Sequence, residues 1–448
     1  MKYKPSMFNY SFASDIGMMI FNSRMGVKSI FLVSKENENK VESMISRNGE
    51  EIEYDKSNTD ILVKTLIHYG YFVPSDLDEK CLREKYINDC INDEVLDVVI
   101  HTSRNCNFRC KYCYMDFKPE NMNAETEKKI IDFVASKLTK CSGLSVSWFG
   151  GEPLMGVGTI ERLSAKFIEL CHTMKKPYKA SITTNGYLLS PTIINTLIKN
   201  KVTTFTVTID GLKKNHDLLR VQKSGEGSFD QIISNLLYIR DHIKTRTITC
   251  YIRSNVTSAF LPYIQEYYSY FNGLFGKDKR FSFFIRPVDD WGGESVKELW
   301  SELISYSDTY RIYRSLAEVI DINGLKPALS SLVNGGASCS AMNRNKYTIS
   351  VNGNVSKCDE ASDKEDALMI GKCSGTIKVN EELDAKWMFA HIPYTEKCNS
   401  CFYSIPCLKN GCQKYSVINN ALACPLDLDE LNGYIILAWV CNGKPIIG

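Results

Sequence analysis

The chain has almost no net charge to offer a partner, with 54 Lys and Arg against 52 Asp and Glu in 448 residues and a formal balance of +2. That balance removes the overall electrostatic case for nucleic acid or an anionic membrane. Long apolar runs are missing as well. The opening Met1-Lys2-Tyr3-Lys4-Pro5-Ser6 has no apolar signal region, and the longest late apolar run, Tyr434 to Val440, falls far short of the roughly 20 residues that span a bilayer. A soluble cytoplasmic protein with no nucleic-acid and no membrane partner is the expectation. Internal repeats and low-complexity segments are absent too. The length predicts a large core with one or two smaller attachments.

Cysteine is abundant, with seventeen in all, concentrated in two zones of a chain without a signal region. Metal clusters in a reducing compartment explain that pattern better than disulfides. Cys106, Cys110 and Cys113 follow directly on the strand-like run Val98-Val99-Ile100-His101-Thr102. Three thiolates at spacings of four and three can fold round one compact cluster from a single loop, leaving the fourth iron of a cubane open and reactive. A structural zinc would want four ligands. No Cys or His lies close after Cys113, although the cysteine-rich tail offers one at long range.

From about Asp97 onward, β-branched runs alternate with helical patterns, the mark of parallel βα units. The strand candidates are Val98 to Thr102, Leu144 to Phe149, Ala180 to Thr184, Thr204 to Ile209, Ile248 to Ile252 and Phe281 to Ile285. Between them, Ile160, Leu163, Phe167, Leu170 and Met174 share a helical face, as do Phe229, Ile232, Leu236, Ile239 and Ile243. Ser190-Pro191 reads as an N-cap and first-turn proline. The expected class is α/β, a partial (β/α)6 barrel at residues 96–325 with its site at the strand C-terminal ends. The cysteine loop and the Phe149-Gly150-Gly151-Glu152-Pro153 turn both fall on that rim. Residues 1–95 read as a small α+β domain, with strands Phe8 to Phe12, Gly17 to Phe21 and Lys28 to Val33 before helices near Glu38 to Ile45, Asp60 to Tyr69 and Asp76 to Ile91. Residues 326–448 form a third region, in which 338–426 hold eight cysteines and little helical periodicity.

The motif Cys106-x3-Cys110-x2-Cys113, with Tyr112 in its aromatic position, resembles the cluster loop of radical S-adenosylmethionine (SAM) enzymes, and the resemblance covers roughly residues 97 to 430. It implies a [4Fe-4S] cluster whose open iron chelates SAM, and a 5'-deoxyadenosyl radical that takes hydrogen from substrate. It further implies that Gly150, Gly151 and Glu152 meet the SAM amino group, that Thr183, Thr184, Asn185 and Gly186 line the cofactor, and that Arg220 pairs with the SAM carboxylate. A guanidinium fork suits that last task. Asp210 and His216 read as structural, and Arg253, Asn255 and Arg286 as weaker candidates for ribose or substrate.

Cys339-x13-Gly353-x4-Cys358 and then Cys398-x2-Cys401-x5-Cys407-x4-Cys412 and Cys424 resemble the SPASM extension of related maturases, which carries two auxiliary [4Fe-4S] clusters, three clusters in all. Relatives usually have three residues where four separate Cys407 from Cys412. The resemblance gives one auxiliary cluster to Cys398, Cys401, Cys407 and Cys424, and the other to Cys339, Cys358 and Cys412. The second set is one thiolate short, leaving an open iron or completion by Cys373 or Cys441. By the same resemblance Asp359 is the candidate general base. Cys81, Cys90, Cys141, Cys171 and Cys250 read as small buried apolar residues. Residues 7 to 91 look like the leader-recognition domain of ribosomal peptide pathways, where an extended peptide adds to a sheet edge. The function so implied is a peptide maturase that crosslinks a leader-bearing, ribosomally made precursor, fed by an electron donor such as flavodoxin or ferredoxin. A Cys thioether is the first expectation, and a carbon–carbon crosslink or formylglycine formation in a sulfatase the alternatives. A protein that merely relays electrons has no use for Gly150 to Glu152 or Arg220.

Overall fold

Hydrophobic alternation along residues 95–287 resolves into six parallel strands: β1 (Val95–Ser103), β2 (Gly143–Gly150), β3 (Tyr178–Thr184), β4 (Val202–Thr208), β5 (Thr249–Val256) and β6 (Phe281–Pro287). Each pairs with the next in chain order, the topology of a partial barrel. The connections carry helices α1 (Ala124–Leu138), α2 (Val157–Thr173), α3 (Pro191–Lys199), α4 (Phe229–His242) and α5 (Ile264–Phe275). The computed structural model describes residues 1–448 apart from 56–59, 93, 291–293, 305–311, 314–315, 317–328, 330–331, 333–338, 362–367, 375, 389–395, 408–411, 423 and 425, and apart from the side chains at 90, 373, 374, 376 and 377. Ile160, Leu163 and Phe167 of α2 and Phe229, Ile232, Leu236 and Ile239 of α4 are buried, so each helix turns the apolar stripe read from its sequence inward. Ser190 caps α3 by accepting from Ile193 N at 3.3 Å, ahead of Pro191.

Two discontinuous units are described: Asn92–Thr309 with Ala341–Met388, and Met1–Ile91 with Tyr310–Ser340 and Phe389–Gly448. In the first unit a seventh parallel strand, Lys346–Ile349, lies beside β1. It turns back through Gly353 (φ +78°) into Asn354–Ser356, and the antiparallel Gly371–Ser374 and Thr376–Val379 follow. The six-strand reading missed this because a short strand far along the chain carries no local sign that it will cover the open edge of β1.

In the second unit Asn9–Ser14, Gly17–Asn22 and Phe31–Val33 form an antiparallel sheet joined by a parallel fourth strand, Ile446–Ile447. Lys28 and Ser29, the first residues of the expected strand Lys28 to Val33, instead belong to a 3-10 turn at Gly26–Ser29, where Ser29 Oγ bonds back to Asn22 O (2.9 Å) and Gly26 O (2.8 Å). A second sheet places Lys2–Pro5 between Ile52–Glu53 and Phe72–Pro74. Met18, Ile20, Phe31, Val33, Val41, Leu66, Tyr71 and Phe72 share one core with Ile447. The cysteine-rich segment packs on these N-terminal elements. Phe402 stacks on Tyr10 at 4.1 Å and 4°, and Arg83 Nη1 donates to Cys398 O and Asn399 O at 3.4 Å. Helix Gln413–Asn419 falls within residues 338–426, where little helical periodicity is expected, and the helix Leu428–Cys441 follows beyond them. Of the cysteines read as buried, Cys141, Cys171 and Cys250 are so, Cys81 is exposed, and Cys90 lies outside the described side chains. Among the described residues no helix is long and apolar enough to cross a membrane.

Phe205 sits fully buried on the central strand β4. Phe205→Ala is expected to lower the stability of the barrel unit by about 3–5 kcal/mol, read from the shift in its urea denaturation midpoint.

Candidate active site

Close backbone approaches bring the cysteine loop to the rim. Gly151 N donates to Ser103 O and Glu152 N to Asn105 O, both at 2.9 Å. A Cβ on Gly150, whose φ is +128°, would lie 2.5 Å from Ser103 O, and one on Gly151 would lie 2.6 Å from Asn105 O. Only glycine permits that contact. Arg104 then staples the base of the loop, with Nη2 2.9 Å from Asp116 and Nη1 3.4 Å from Glu120. Further on, Phe108–Cys110 pairs antiparallel with Arg220–Gln222, in a register that sets Arg220 opposite Cys110. Nothing in the sequence pattern announces this short ribbon.

Glu152 is 1% exposed and braces the turn that follows it. It accepts from Thr184 Oγ1 (2.7 Å), Asn185 N (2.8 Å) and Leu154 N (3.1 Å). Burial pushes its pKa up, opposed by these hydrogen bonds and by the charge of Arg220. Asn185 Nδ2 donates to Asn107 Oδ1 at 2.7 Å and lies 3.9 Å from Cys106 Sγ. Burial drives the Cys106 thiol up to about 12, and the negative charge of Glu152 adds to the effect. Cys113 is pushed up to about 12 by burial and by Cys110. Cys110 also rises through burial, with Arg220 opposing. Three such thiols become thiolates only when a cation compensates them, which is what iron ligation does.

The Tyr112 hydroxyl sits at the centre of a buried polar network. It bonds Asp210 Oδ2, accepts from Arg220 Nη1 at 2.6 Å and accepts from Asn255 Nδ2 at 3.0 Å. Arg220 lies 3.6 Å from Asp210, and Asp210 Oδ1 accepts from Asn255 N at 2.7 Å. Burial raises the Asp210 pKa while Arg220 and Tyr112 hold it back. His216 Nδ1 accepts from Asp210 N at 3.2 Å and its Nε2 meets Ser228 Oγ at 3.0 Å, so the Nε2–H tautomer fits. Burial, then the Arg220 charge, holds this imidazole well below its ordinary pKa. Asp210 and His216 are thus bracing groups. Arg220, expected to face a cofactor carboxylate, is engaged through Nη1 by the protein itself, yet its buried Nε has no hydrogen-bond partner among the described residues.

Cys106, Cys110, Tyr112, Cys113, Gly150, Gly151, Glu152, Thr183, Asn185 and Arg220 all line one cavity of about 930 Å³, its open mouth included. Arg253 and Asn255 line it too, while Arg286 is exposed and does not. Asp359 is also absent from the lining. Lys346 Nζ (3.1 Å) and Thr348 Oγ1 (2.8 Å) hold its carboxylate on the hairpin, and the cavity carboxylate from this stretch is the next residue, Glu360. A one-residue offset of that kind follows from how the chain leaves the strand, which motif alignment does not encode. Sequence reasoning also missed Tyr114, Met115, Phe117 and Asp289.

Among the described residues, no three His, Cys, Asp or Glu side chains close on a single metal ion. Cysteines spread along one cavity wall suit a cluster of several metal atoms, and an unpartnered Arg220 Nε suits a bound carboxylate. The cysteines that the resemblance assigns to auxiliary clusters are divided between the two units. Cys401 lies within electrostatic range of Cys424 and Cys398, all in one unit with Cys407, and its pKa is raised by burial first. Exposed Cys412 caps Gln413–Asn419 by accepting from Tyr415 N at 3.5 Å. Cys339 and Cys358 belong to different units, and the side chain of Cys373 lies outside the described residues.

Gly151→Ala is expected to displace the Asn105 carbonyl and the loop behind it, raising about 10-fold or more the iron concentration that loads the site during anaerobic titration. Tyr112→Phe deprives the buried Asp210–Arg220 pair of its shared hydroxyl. It is expected to lower barrel stability by about 1–3 kcal/mol in chemical denaturation.

Residues 100–257 match the Radical SAM superfamily. An uncharacterized protein of Methanocaldococcus jannaschii is 29% identical over 181 residues, covering 40% of this chain, which spans 59% of that relative's length. The cysteine-type anaerobic sulfatase-maturating enzyme of Clostridium perfringens is 24% identical over 337 residues, covering 70% of this chain and 87% of its own. The solved structure of native anSMEcpe with bound AdoMet and Kp18Cys peptide superposes with a TM-score of 0.58 at 19% identity, over 78% of this chain and 99% of that one. The cysteine loop, the Gly-Gly-Glu turn and the strand ends thus meet on one cavity of an α/β fold shared with that solved structure, in a chain whose residues 100–257 match the Radical SAM superfamily.

Proposed function

We propose that this chain is a radical SAM peptide maturase that installs an intramolecular crosslink, a Cys sulfur-to-carbon thioether, in a ribosomally made precursor peptide. The observation that carries the reading is the convergence of Cys106, Cys110 and Cys113 with Glu152, Asn185 and Arg220 on one cavity. In this reading Cys106, Cys110 and Cys113 hold a [4Fe-4S] cluster, and Arg220 Nε takes the SAM carboxylate. Glu152, already holding Thr184, Asn185 and Leu154, contributes its negative charge toward the SAM ammonium and keeps the strand ends rigid around it. Held by these residues, the cluster and SAM would supply the radical chemistry that takes hydrogen from a peptide carbon. Phe108, Phe117 and Phe149 narrow the cavity with apolar surface and exclude water from the reacting atoms. Glu360 replaces Asp359 as the carboxylate placed to meet a substrate proton.

Cys398, Cys401, Cys407 and Cys424 would hold one auxiliary cluster, and Cys339, Cys358 and Cys412 part of a second. Electrons would come from a flavodoxin or ferredoxin. The N-terminal sheet would hold the leader of the precursor, by strand addition. A second reading is favoured by the likeness to the Clostridium perfringens sulfatase-maturating enzyme: oxidation of a Cys or Ser to formylglycine in a sulfatase. That likeness covers 87% of the relative's length and fits this second reading as well as the first.

The test is anaerobic incubation of the reconstituted protein with SAM, reductant and the cysteine-containing peptide encoded beside its gene, followed by fragmentation mass spectrometry. Loss of two hydrogens with fragmentation blocked across a Cys is the expected result. Conversion of a Cys to an aldehyde in a sulfatase-type peptide, without a crosslink, would move the second reading first. Replacing Cys106, Cys110 and Cys113 together by Ala is expected to reduce release of 5'-deoxyadenosine more than about a hundredfold.

A further inference from the structure

The N-terminal sheet has two edges, and the chain treats them differently. At the Asn9–Ser14 edge, Tyr10 is covered by the stacked ring of Phe402 and its hydroxyl donates to Asn432 Oδ1 at 3.0 Å. At the other edge, Phe31–Val33 receives the segment Pro445–Ile447 as a guest strand. Leu32 N donates to Pro445 O at 3.1 Å and Ser34 N donates to Ile447 O at 2.9 Å. Ile446 between them is 65% exposed, while Ile447 is 5% exposed and joins the core formed by Phe31, Val33 and Val41. This is the pattern of β-addition: alternate backbone carbonyls docked on an edge, with one apolar side chain in a pocket and the next in solvent. The guest arrives through Gly443 (φ +81°) and Lys444 (φ +56°), two successive left-handed residues that form a turn between the helix Leu428–Cys441 and the strand.

We propose that the edge Phe31–Ser34 is the peptide-binding site of this protein, and that Pro445–Ile447 is an intramolecular occupant that the precursor peptide must displace. The partner so defined is an extended peptide with an apolar residue at the Ile447 position and freedom at the position before it. The pairing is two residues long, so an incoming strand of several residues exceeds it in hydrogen bonds while refilling the same pocket. The site therefore tests incoming chains against a built-in competitor, and unliganded protein keeps no open edge there. This inference rests on the peptide-maturase reading for the identity of the displacing chain.

The experiment compares the full chain with a variant truncated after Lys444, using a labelled Lys-Pro-Ile-Ile-Gly peptide as probe. Anisotropy is expected to give saturable binding to the truncated chain and at least tenfold weaker binding to the full one. Hydrogen exchange at Leu32 and Ser34 is expected to accelerate at least tenfold on truncation and to slow again with the probe. Exchange along Asn9–Asn22 reports whether the truncated sheet is still folded; if it is not, Ile447→Ala in the full chain is used, and should admit the probe where the unaltered chain does not. Equal binding to both folded chains, or none to either, overturns the proposal. The cysteine-containing peptide encoded beside the gene is then added to the full chain. Release of Pro445–Ile447 while Leu32 and Ser34 stay protected supports displacement. A peptide that is modified with SAM yet leaves Pro445–Ile447 protected overturns the edge proposal and keeps the maturase reading. One that displaces the strand but is never modified keeps the edge and removes the maturase reading.

Discussion

The contact between Gly150-Gly151-Glu152 and the backbone of Ser103 to Asn105 is the constraint on which the rest of the site depends. Two glycines let main chain meet main chain at distances no Cβ would survive, and two backbone hydrogen bonds hold the approach. Because the first strand of the barrel runs straight into the cysteine loop, fixing Ser103 to Asn105 fixes where Cys106 emerges. Because Glu152 follows the glycines, its buried carboxylate arrives beside Cys106 and gathers Thr184 and Asn185 from the third strand. One close approach thus ties together three strand ends.

The site concentrates charge in a place that disfavours it. Glu152, Asp210 and Arg220 are all buried, and three thiols around them resist ionising. In such a setting each group is kept by specific partners: backbone and hydroxyl donors for Glu152, and Tyr112 with Asn255 for Asp210. Arg220 is bonded through Nη1, while its buried Nε has no hydrogen-bond partner among the described residues. Low local dielectric makes that donor a strong and selective anion reader, and makes the thiolate wall a strong cation site. Both properties serve a cofactor that presents a carboxylate beside a cationic metal cluster.

The second unit is assembled from parts that lie far apart in the chain. Its N-terminal sheet takes a strand from residues 446–447, and the cysteine-rich turns near Cys398 and Cys401 rest on Tyr10 and Arg83. The core under this sheet draws on residues beyond its first three strands, with Val41 and Leu66 coming from helices and Ile447 from the added strand. The same dependence makes the sheet edge a place where one extended segment can be exchanged for another.

Much of the barrel was legible in the sequence, because strand alternation, helix stripes and the Ser190 cap are set by neighbours within a few residues. The cysteine spacing and the Gly-Gly-Glu turn were legible for the same reason; Thr183, Thr184, Asn185 and Arg220 share their cavity, while Gly186 is not part of its lining. What escaped the sequence came from pairings between distant segments: the ribbon joining Cys110 to Arg220, the strand Lys346–Ile349 on the edge of the barrel, and the guest strand Ile446–Ile447. Asp359 and Glu360 differ by one position, and only the path of the hairpin decides which carboxylate reaches the cavity. The sequence by itself determined the chemistry, since ligand type and spacing are local covalent facts. The tertiary structure alone decided which side chains face one another, since that depends on edges needing partners and on buried charges needing donors, wherever along the chain these lie.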